Sequence, residues 1–149
     1  MILKPDLSIV IPTLNEAEAL PLLLDDLAHQ QGCSFEVIIA DGGSADLTCQ
    51  LANDFFLSGR LSGRCLVASS GRGRQLNAGA LAAASDWLLF LHADSRLDDT
   101  NLLQEALVFM RNRQQQEATE VLAGHFSLRF DSPADKERFG FFYYEIKAS

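Results

Sequence analysis

What most restricts this chain is the order in which short apolar runs and helical stripes alternate along it. "LSIVI" (7–11), "FEVIIA" (35–40), "CLVA" (65–68) and "WLLFL" (87–91) are continuous rather than alternating, so they read as strands buried on both faces. Each ends in a polar turn. Stripes at helical spacing follow the first three: Leu20, Leu23, Leu24 and Leu27; then Leu47, Leu51 and Phe55; then Leu76, Ala80, Ala83 and Ala84. Strand-then-helix order repeated in this way calls for crossover connections, and so for an α/β fold with a mostly parallel sheet and helices on both faces. A further helix is expected over 102–110, with its N-cap among Asp98, Asp99 and Thr100. "RNRQQQEATE" (111–120) reads as its polar end and an exposed connection. "VLAGHFSLRFD" (121–131) alternates enough for one or two strands in another part of the sheet, and "LSGRLSGR" (57–64) is a loop punctuated by glycine and serine.

Composition narrows the function classes. With 149 residues, 48% of them hydrophobic, the chain supports one domain with a real core, taken as 1–149. A net charge of -8 argues against a nucleic-acid partner or an anionic membrane bound through a broad basic face. No apolar run approaches the roughly 20 residues of a membrane span, and "MILKPDLSIVIP" lacks the pattern of a secretory signal, so a cytoplasmic location is expected. Cys33, Cys49 and Cys65 are odd in number and never in a CxxC pair, which reads as buried free thiols.

In open α/β sheets ligands sit outside the carboxyl ends of the strands, where helix N-termini and loop amides converge. The residues just after each strand are therefore the ones to read. Thr13 and Glu16 fit a capping box, which leaves Pro12 and Asn15 without a role. Asp41-Gly42-Gly43-Ser44 fits a tight turn with a capping serine, and equally a carboxylate placed to accept from a base edge or a ribose hydroxyl. "SSGRGRQLNAG" puts two glycines and two arginines directly before a helix, which suits an anion, although Arg72 and Arg74 also fit as solvated charges. It is neither a Walker A loop nor a complete GxGxxG, since Leu76 stands at the third glycine position. Asp94 follows a run so apolar that its charge calls for compensation, by a bound cation, by N-capping or by an ion pair with Arg96. His92 is expected either beside that cation or hydrogen-bonded to a neighbouring loop.

Taken in order, "SIVIPTLNE", "EVIIADGGSAD", "GRGRQLNAGA" and "LLFLHADS" resemble the nucleotide-sugar-binding half of the family-2 glycosyltransferases with the GT-A fold, over residues 7 to about 97. "GRGRQLNAGA" and "FLHAD", with "FSLRFD" in weaker support, are most similar to the bacterial branch associated with radical-SAM and selenoprotein-related gene neighbourhoods. The resemblance implies transfer of a sugar from a nucleoside diphosphate donor, with inversion, assisted by a divalent cation, Mn or Mg. It places Pro12, Thr13 and Glu16 around the nucleobase and ribose, Asp41 as the aspartate that reads the base, and Arg74 and Asn77 beside the nucleotide. Asp94 matches the last aspartate of the D-x-D motif, which holds the metal on the diphosphate, and His92 stands where the first aspartate is usual.

An inverting transfer needs a base to deprotonate the acceptor hydroxyl. Asp131, Asp135, Glu137 and Glu145 are available carboxylates, none in a convincing base motif, and the acceptor is left unassigned. The chain is therefore expected to be incomplete at its C-terminus, holding the donor-binding half and unable to transfer by itself. Phe139, Phe141, Phe142, Tyr143 and Tyr144 are expected to be left short of core partners and open to self-association. Two other classes compete: a nucleotide-binding or regulatory module without turnover, which would also lack the base, and a sugar-phosphate nucleotidyltransferase. Against the latter, no lysine-bearing glycine-rich loop follows the first strand.

Overall fold

The computed structural model describes residues 3–118 and 122–126. All four apolar runs form strands, namely β1 (Leu7–Thr13), β2 (Phe35–Asp41), β3 (Gly63–Val67) and β4 (Leu88–Phe90). The helices are α1 (Leu20–Ala28), α2 (Thr48–Leu57), α3 (Arg72–Ala82) and α4 (Leu102–Glu117). Every strand pairing is parallel, and the order across the sheet is β3-β2-β1-β4. The chain thus walks outward from β1 to β3, then returns to the far side of β1 for β4. That reversal leaves a crevice at the carboxyl ends of β1 and β4, the place where open α/β sheets bind ligands.

Register separates the two faces. Ile9 lies between Val37 and Leu89, and with Leu7, Ile11 and Ile39 this set faces Leu20, Leu23, Leu24 and Leu27 of α1, Ala52 of α2 and Leu103 of α4 in one buried core. The alternate set carries Val10, which packs against Gly79 of α3 on the other face. Helices therefore cover both faces, as expected. Glu36, also on the α3 side, is buried but compensated: it accepts from the Ser8 hydroxyl at 2.7 Å, the Ala84 amide at 2.7 Å and Arg64 at 3.0 Å.

The helical stripes need correction. All four leucines of α1 are buried. In α2, however, the buried residues are Thr48 and Ala52 while Leu47 is exposed, and in α3 they are Gln75 and Gly79 rather than Leu76 and Ala80. In both, the face turned inward is one position away from the apolar stripe: Ala52 and Gly79 allow close approach to the sheet, and Thr48 and Gln75 make hydrogen bonds to other segments. Ala83 and Ala84 lie past the end of α3. The N-cap of α4 is Asn101, without a side-chain cap bond, and the helix runs on through the polar 111–117 stretch.

Residues 122–126 of the expected strand region carry no strand. The rest of 121–131, the carboxylates Asp131, Asp135, Glu137 and Glu145, and the aromatics Phe139, Phe141, Phe142, Tyr143 and Tyr144 lie outside the described residues. Among the described residues no helix is long and apolar enough to cross a membrane. The three cysteines are free and half-buried. Burial, then the neighbouring Cys65, pushes the Cys49 thiol up to about 12, which makes it a poor nucleophile.

Candidate functional site

The loops after the four strands are stitched to one another by side chains that their own sequences supply. Thr13, the last residue of β1, is buried and donates its hydroxyl to Asp41 Oδ1 at 2.8 Å. The capping-box expectation for Thr13 and Glu16 therefore fails. Helix α1 starts only at Leu20, its N-cap is Ala19, and no side chain caps it. The Glu16 amide donates instead to Thr48 Oγ1 at 2.8 Å, and the Ala17 amide to Asp46 Oδ2 at 3.1 Å, both across to the segment that opens α2. Asn15 completes this clasp: its amide donates to Ser44 Oγ at 2.8 Å and its Oδ1 accepts from the Ala45 amide at 2.8 Å. It does so at φ 56°, a left-handed conformation that asparagine tolerates better than other residues with a side chain.

Asp41 closes the turn that follows β2. Oδ1 accepts from Thr13 and from Ser44 Oγ at 2.5 Å, while Oδ2 accepts from the amides of Gly43 at 3.0 Å and Ser44 at 2.8 Å. Burial alone would raise its carboxyl, but the hydrogen bonds from Ser44, Thr13 and Gly43 together outweigh it and hold the group below the usual carboxylate range. All of the roughly four acceptor positions of a carboxylate are thus used internally. The tight turn holds, but Ser44 serves Asp41 and the Asn15 amide rather than capping a helix.

The third loop begins α3. Gly71 sits at φ 127°, which only glycine adopts freely, and Arg72 and Arg74 follow it, both exposed. Arg74 donates to the Ser70 carbonyl at 3.4 Å, and Asn77 lies exposed one turn further along the helix. Arg72 instead reaches the fourth loop, with Nη2 3.3 Å from His92 Nδ1. A guanidinium only donates, so Nδ1 is the acceptor and the neutral ring carries its proton on Nε2. Burial, then Arg72, pushes the imidazole below its ordinary value, against a smaller opposing effect of Asp94. Residues 92–95 form a turn closed by the Ser95 amide on the His92 carbonyl at 3.0 Å. Ala93 is buried inside it, and Asp94 stands exposed at its third position. Arg96, the expected ion-pair partner of Asp94, forks instead onto Asp26 of α1, at 2.7 Å from Nε and 3.0 Å from Nη2.

The fold thus brings Thr13 and Asp41 into direct contact, sets Glu16 and half-buried Pro12 beside them, and joins His92 to the arginine loop through Arg72 rather than Arg74. Sequence reasoning missed Gln75. Its buried amide donates to the carbonyls of Thr13 at 2.7 Å and Ala40 at 2.9 Å, and accepts from the Gly71 amide at 3.3 Å. The available signal was a glutamine four residues before Gly79, on one helical face. Among the described residues no three His, Cys, Asp or Glu side chains converge to hold an ion. A cation here would rest on Asp94 and on oxygens supplied by the ligand, an arrangement usual for magnesium on phosphates. Next to Asp94, the buried Ser95 hydroxyl has no hydrogen-bond partner among the described residues.

The sequence model of the family described as Glycosyl transferase family 2 matches residues 8–145. The chain belongs to glycosyl transferase family 2. It is 38% identical over 109 residues to the PGL/p-HBAD biosynthesis glycosyltransferase of Mycobacterium bovis (strain BCG / Pasteur 1173P2), an alignment covering 71% of this chain and 42% of that protein. The match therefore spans somewhat less than half the length of this relative. Among solved structures, S. aureus TarS in complex with UDP-GlcNAc superposes with a TM-score of 0.65 at 24% identity, over 77% of this chain and 32% of that one. The mannosyltransferase PcManGT from Pyrobaculum calidifontis, in complex with GDP-Man and Mn2+, gives 0.64 at 23%, over 70% and 32%. These likenesses establish the GT-A-like α/β fold for this family-2 chain.

Proposed function

We propose that this chain binds a nucleoside diphosphate sugar across the carboxyl ends of its strands and forms the donor half of an inverting, cation-assisted glycosyl transfer. The observation that carries this reading is the joined set of four loops, with the exposed Asp94 carboxylate at one end and the buried Thr13–Asp41 pair at the other. Family membership and the UDP-GlcNAc and GDP-Man held by the two structural neighbours support a nucleotide-sugar donor.

Pro12, Thr13 and Glu16 flank the nucleobase and ribose, and Asp41 holds the 41–44 turn against which the base rests. Arg74 and Asn77 line the path of the diphosphate. Asp94 is the residue that would hold Mn or Mg, and the Mn2+ bound by the neighbouring mannosyltransferase supports a divalent ion. When bound, such an ion shields the charge of the departing nucleoside diphosphate. His92 serves as an orienting group. With Nδ1 accepting from Arg72 and Nε2 protonated, it offers no lone pair to a metal, and its contact steadies Arg72 near Asp94. The wording of "GRGRQLNAGA" and "FLHAD" supports placement in the radical-SAM-associated branch.

Calorimetric titration with UDP and GDP, each with and without manganese or magnesium, tests the reading. Binding that strengthens with metal is expected, and Asp94→Ala should remove the metal-dependent part while leaving metal-free binding in place. Failure of both nucleotides to bind a folded sample, or equal affinity with and without metal, would overturn it.

A further inference from the structure

We infer that Gln75 is a positioning residue whose buried amide fixes the distance between the base end and the diphosphate end of the donor site. The inference rests on the donor-site reading above. Gln75 occupies the inward face of α3 at a position where an apolar side chain would pack without any polar atom to satisfy. Its amide instead serves backbone groups from three segments: the Thr13 carbonyl at the end of β1, the Ala40 carbonyl near the end of β2, and the Gly71 amide that opens the arginine loop. These bonds are not needed to pair the strands. The β1–β2 ladder already runs the full length of both, and the Thr13 carbonyl also accepts from the Gly42 amide at 2.9 Å. What they add is a tie from α3 to both strand ends at once.

Two glycines show how closely the loops rest on this amide. A Cβ on Gly42 would lie 3.0 Å from both Cδ and Oε1 of Gln75, so the 41–44 turn sits directly on the side chain. Gly71 in turn holds its left-handed conformation while its amide points at Oε1, and Arg72 and Arg74 follow at once. The turn at the base end and the loop at the diphosphate end therefore both rest on one planar group. A ligand that spans both ends gains from this fixed spacing, whereas a ligand that touches only one end does not.

The test compares the full chain with Gln75→Met, which keeps length and removes both donors and the acceptor. Affinities for UDP, uridine and pyrophosphate are measured, or for GDP and guanosine if the wild type prefers them. The expected result is about tenfold weaker binding of the diphosphate nucleotide with changes below about twofold for nucleoside and pyrophosphate, a tenfold loss being about 1.4 kcal/mol. Backbone amide exchange is followed on the same samples without ligand. Exchange at Gly71, Gly43 and Ser44 should quicken together, while the amides of Ile9, Val37 and Leu24 keep their protection. Gly42→Ala, which pushes on an intact Gln75, should give the same pattern and decides the matter if Gln75→Met fails to fold. Equal weakening of all three ligands, or faster exchange spread evenly over sheet and loops, would overturn the inference. Absence of nucleotide binding by the wild type would instead overturn the donor reading, and amide exchange alone would still decide whether Gln75 couples the loops.

Discussion

Gly79→Ala should push α3 away from the sheet, and the size of the effect follows from the packing. A Cβ on Gly79 would stand 2.2 Å from Val10 Cγ1 and 3.2 Å from Cγ2. Carbon atoms pack at about 3.5–4.0 Å, so the helix must retreat by about 1.5 Å unless Val10 turns. Val10 has no exposed surface and a β-branched side chain, which leaves it little freedom to turn. A retreat of that size would also stretch the Gln75 bonds to Thr13 and Ala40, now 2.7 and 2.9 Å, beyond hydrogen-bonding range. Overpacking costs about 1–3 kcal/mol and the weakened bonds about 1 kcal/mol, whereas alanine regains about 1 kcal/mol of helix propensity, for a net loss near 2 kcal/mol. For a domain of this size that corresponds to a Tm lower by about 4–8 °C. Urea unfolding of the wild type, Gly79→Ala, Val10→Ala and the double variant checks the cause. Removing the Val10 γ-carbons makes room for the new methyl, so the double variant should be more stable than the sum of the singles by at least about 1 kcal/mol. Additivity within about 0.5 kcal/mol, or an unperturbed Gly79→Ala, would refute the packing argument.

The fold holds His92 below its ordinary pKa, so the unfolded chain binds that proton more readily, and stability should fall as pH drops below about 6.5. In urea titrations His92→Gln should lose this part of the slope. The lowered carboxyls of Asp6, at about 2 through its bonds from Arg111 and Ser34, and of Asp26 and Asp41 contribute stability above about pH 4 that is lost with further acid, and that slope should remain in the variant. Asp26→Ala removes the acceptor for Arg96 and for the Leu97 amide at 3.0 Å, and should cost about 2 kcal/mol, with faster proteolysis near residue 96 as a second readout. At Asn15, glycine accepts the left-handed backbone but loses the bond to Ala45, so Asn15→Gly should be destabilised by about 1 kcal/mol and Asn15→Val by clearly more in the same unfolding assay.

Much of the architecture was legible because burial on both faces leaves a local mark. Continuous apolar runs read as strands, and all four are strands, but only β1 and β2 lie inside the sheet; β3 is at an edge, with Val67 exposed. The leucine stripe of α1 was equally plain, since its whole inward face is large and apolar. The stripes of α2 and α3 misled by one position, because Thr48, Ala52, Gln75 and Gly79 are chosen for closeness of approach or for hydrogen bonds, and neither property is a hydrophobic period. The site was legible as a set of loops rather than as a set of contacts. Thr13 and Glu16 matched a capping box by spacing alone, yet the hydroxyl of Thr13 is taken by a carboxylate 28 positions away.

The sequence by itself determined which segments are strands, which loops follow them, and that acidic and basic groups lie together in those loops. Alternation of strand and helix carries that information locally, residue by residue. Only the tertiary structure decided the strand order β3-β2-β1-β4, and with it the crevice at the carboxyl ends of β1 and β4, where the 92–95 turn follows β4. Several orders are compatible with the same succession of parallel strands, and the choice among them depends on which helix face fits which sheet face. Only the fold, too, gave Asp41 the Thr13 hydroxyl, Arg96 to Asp26 rather than Asp94, and Gln75 its carbonyl partners on β1 and β2. The last joins residues 62 and 35 positions apart, and no local pattern can record bonds that exist only once α3 has been laid across the ends of β1 and β2.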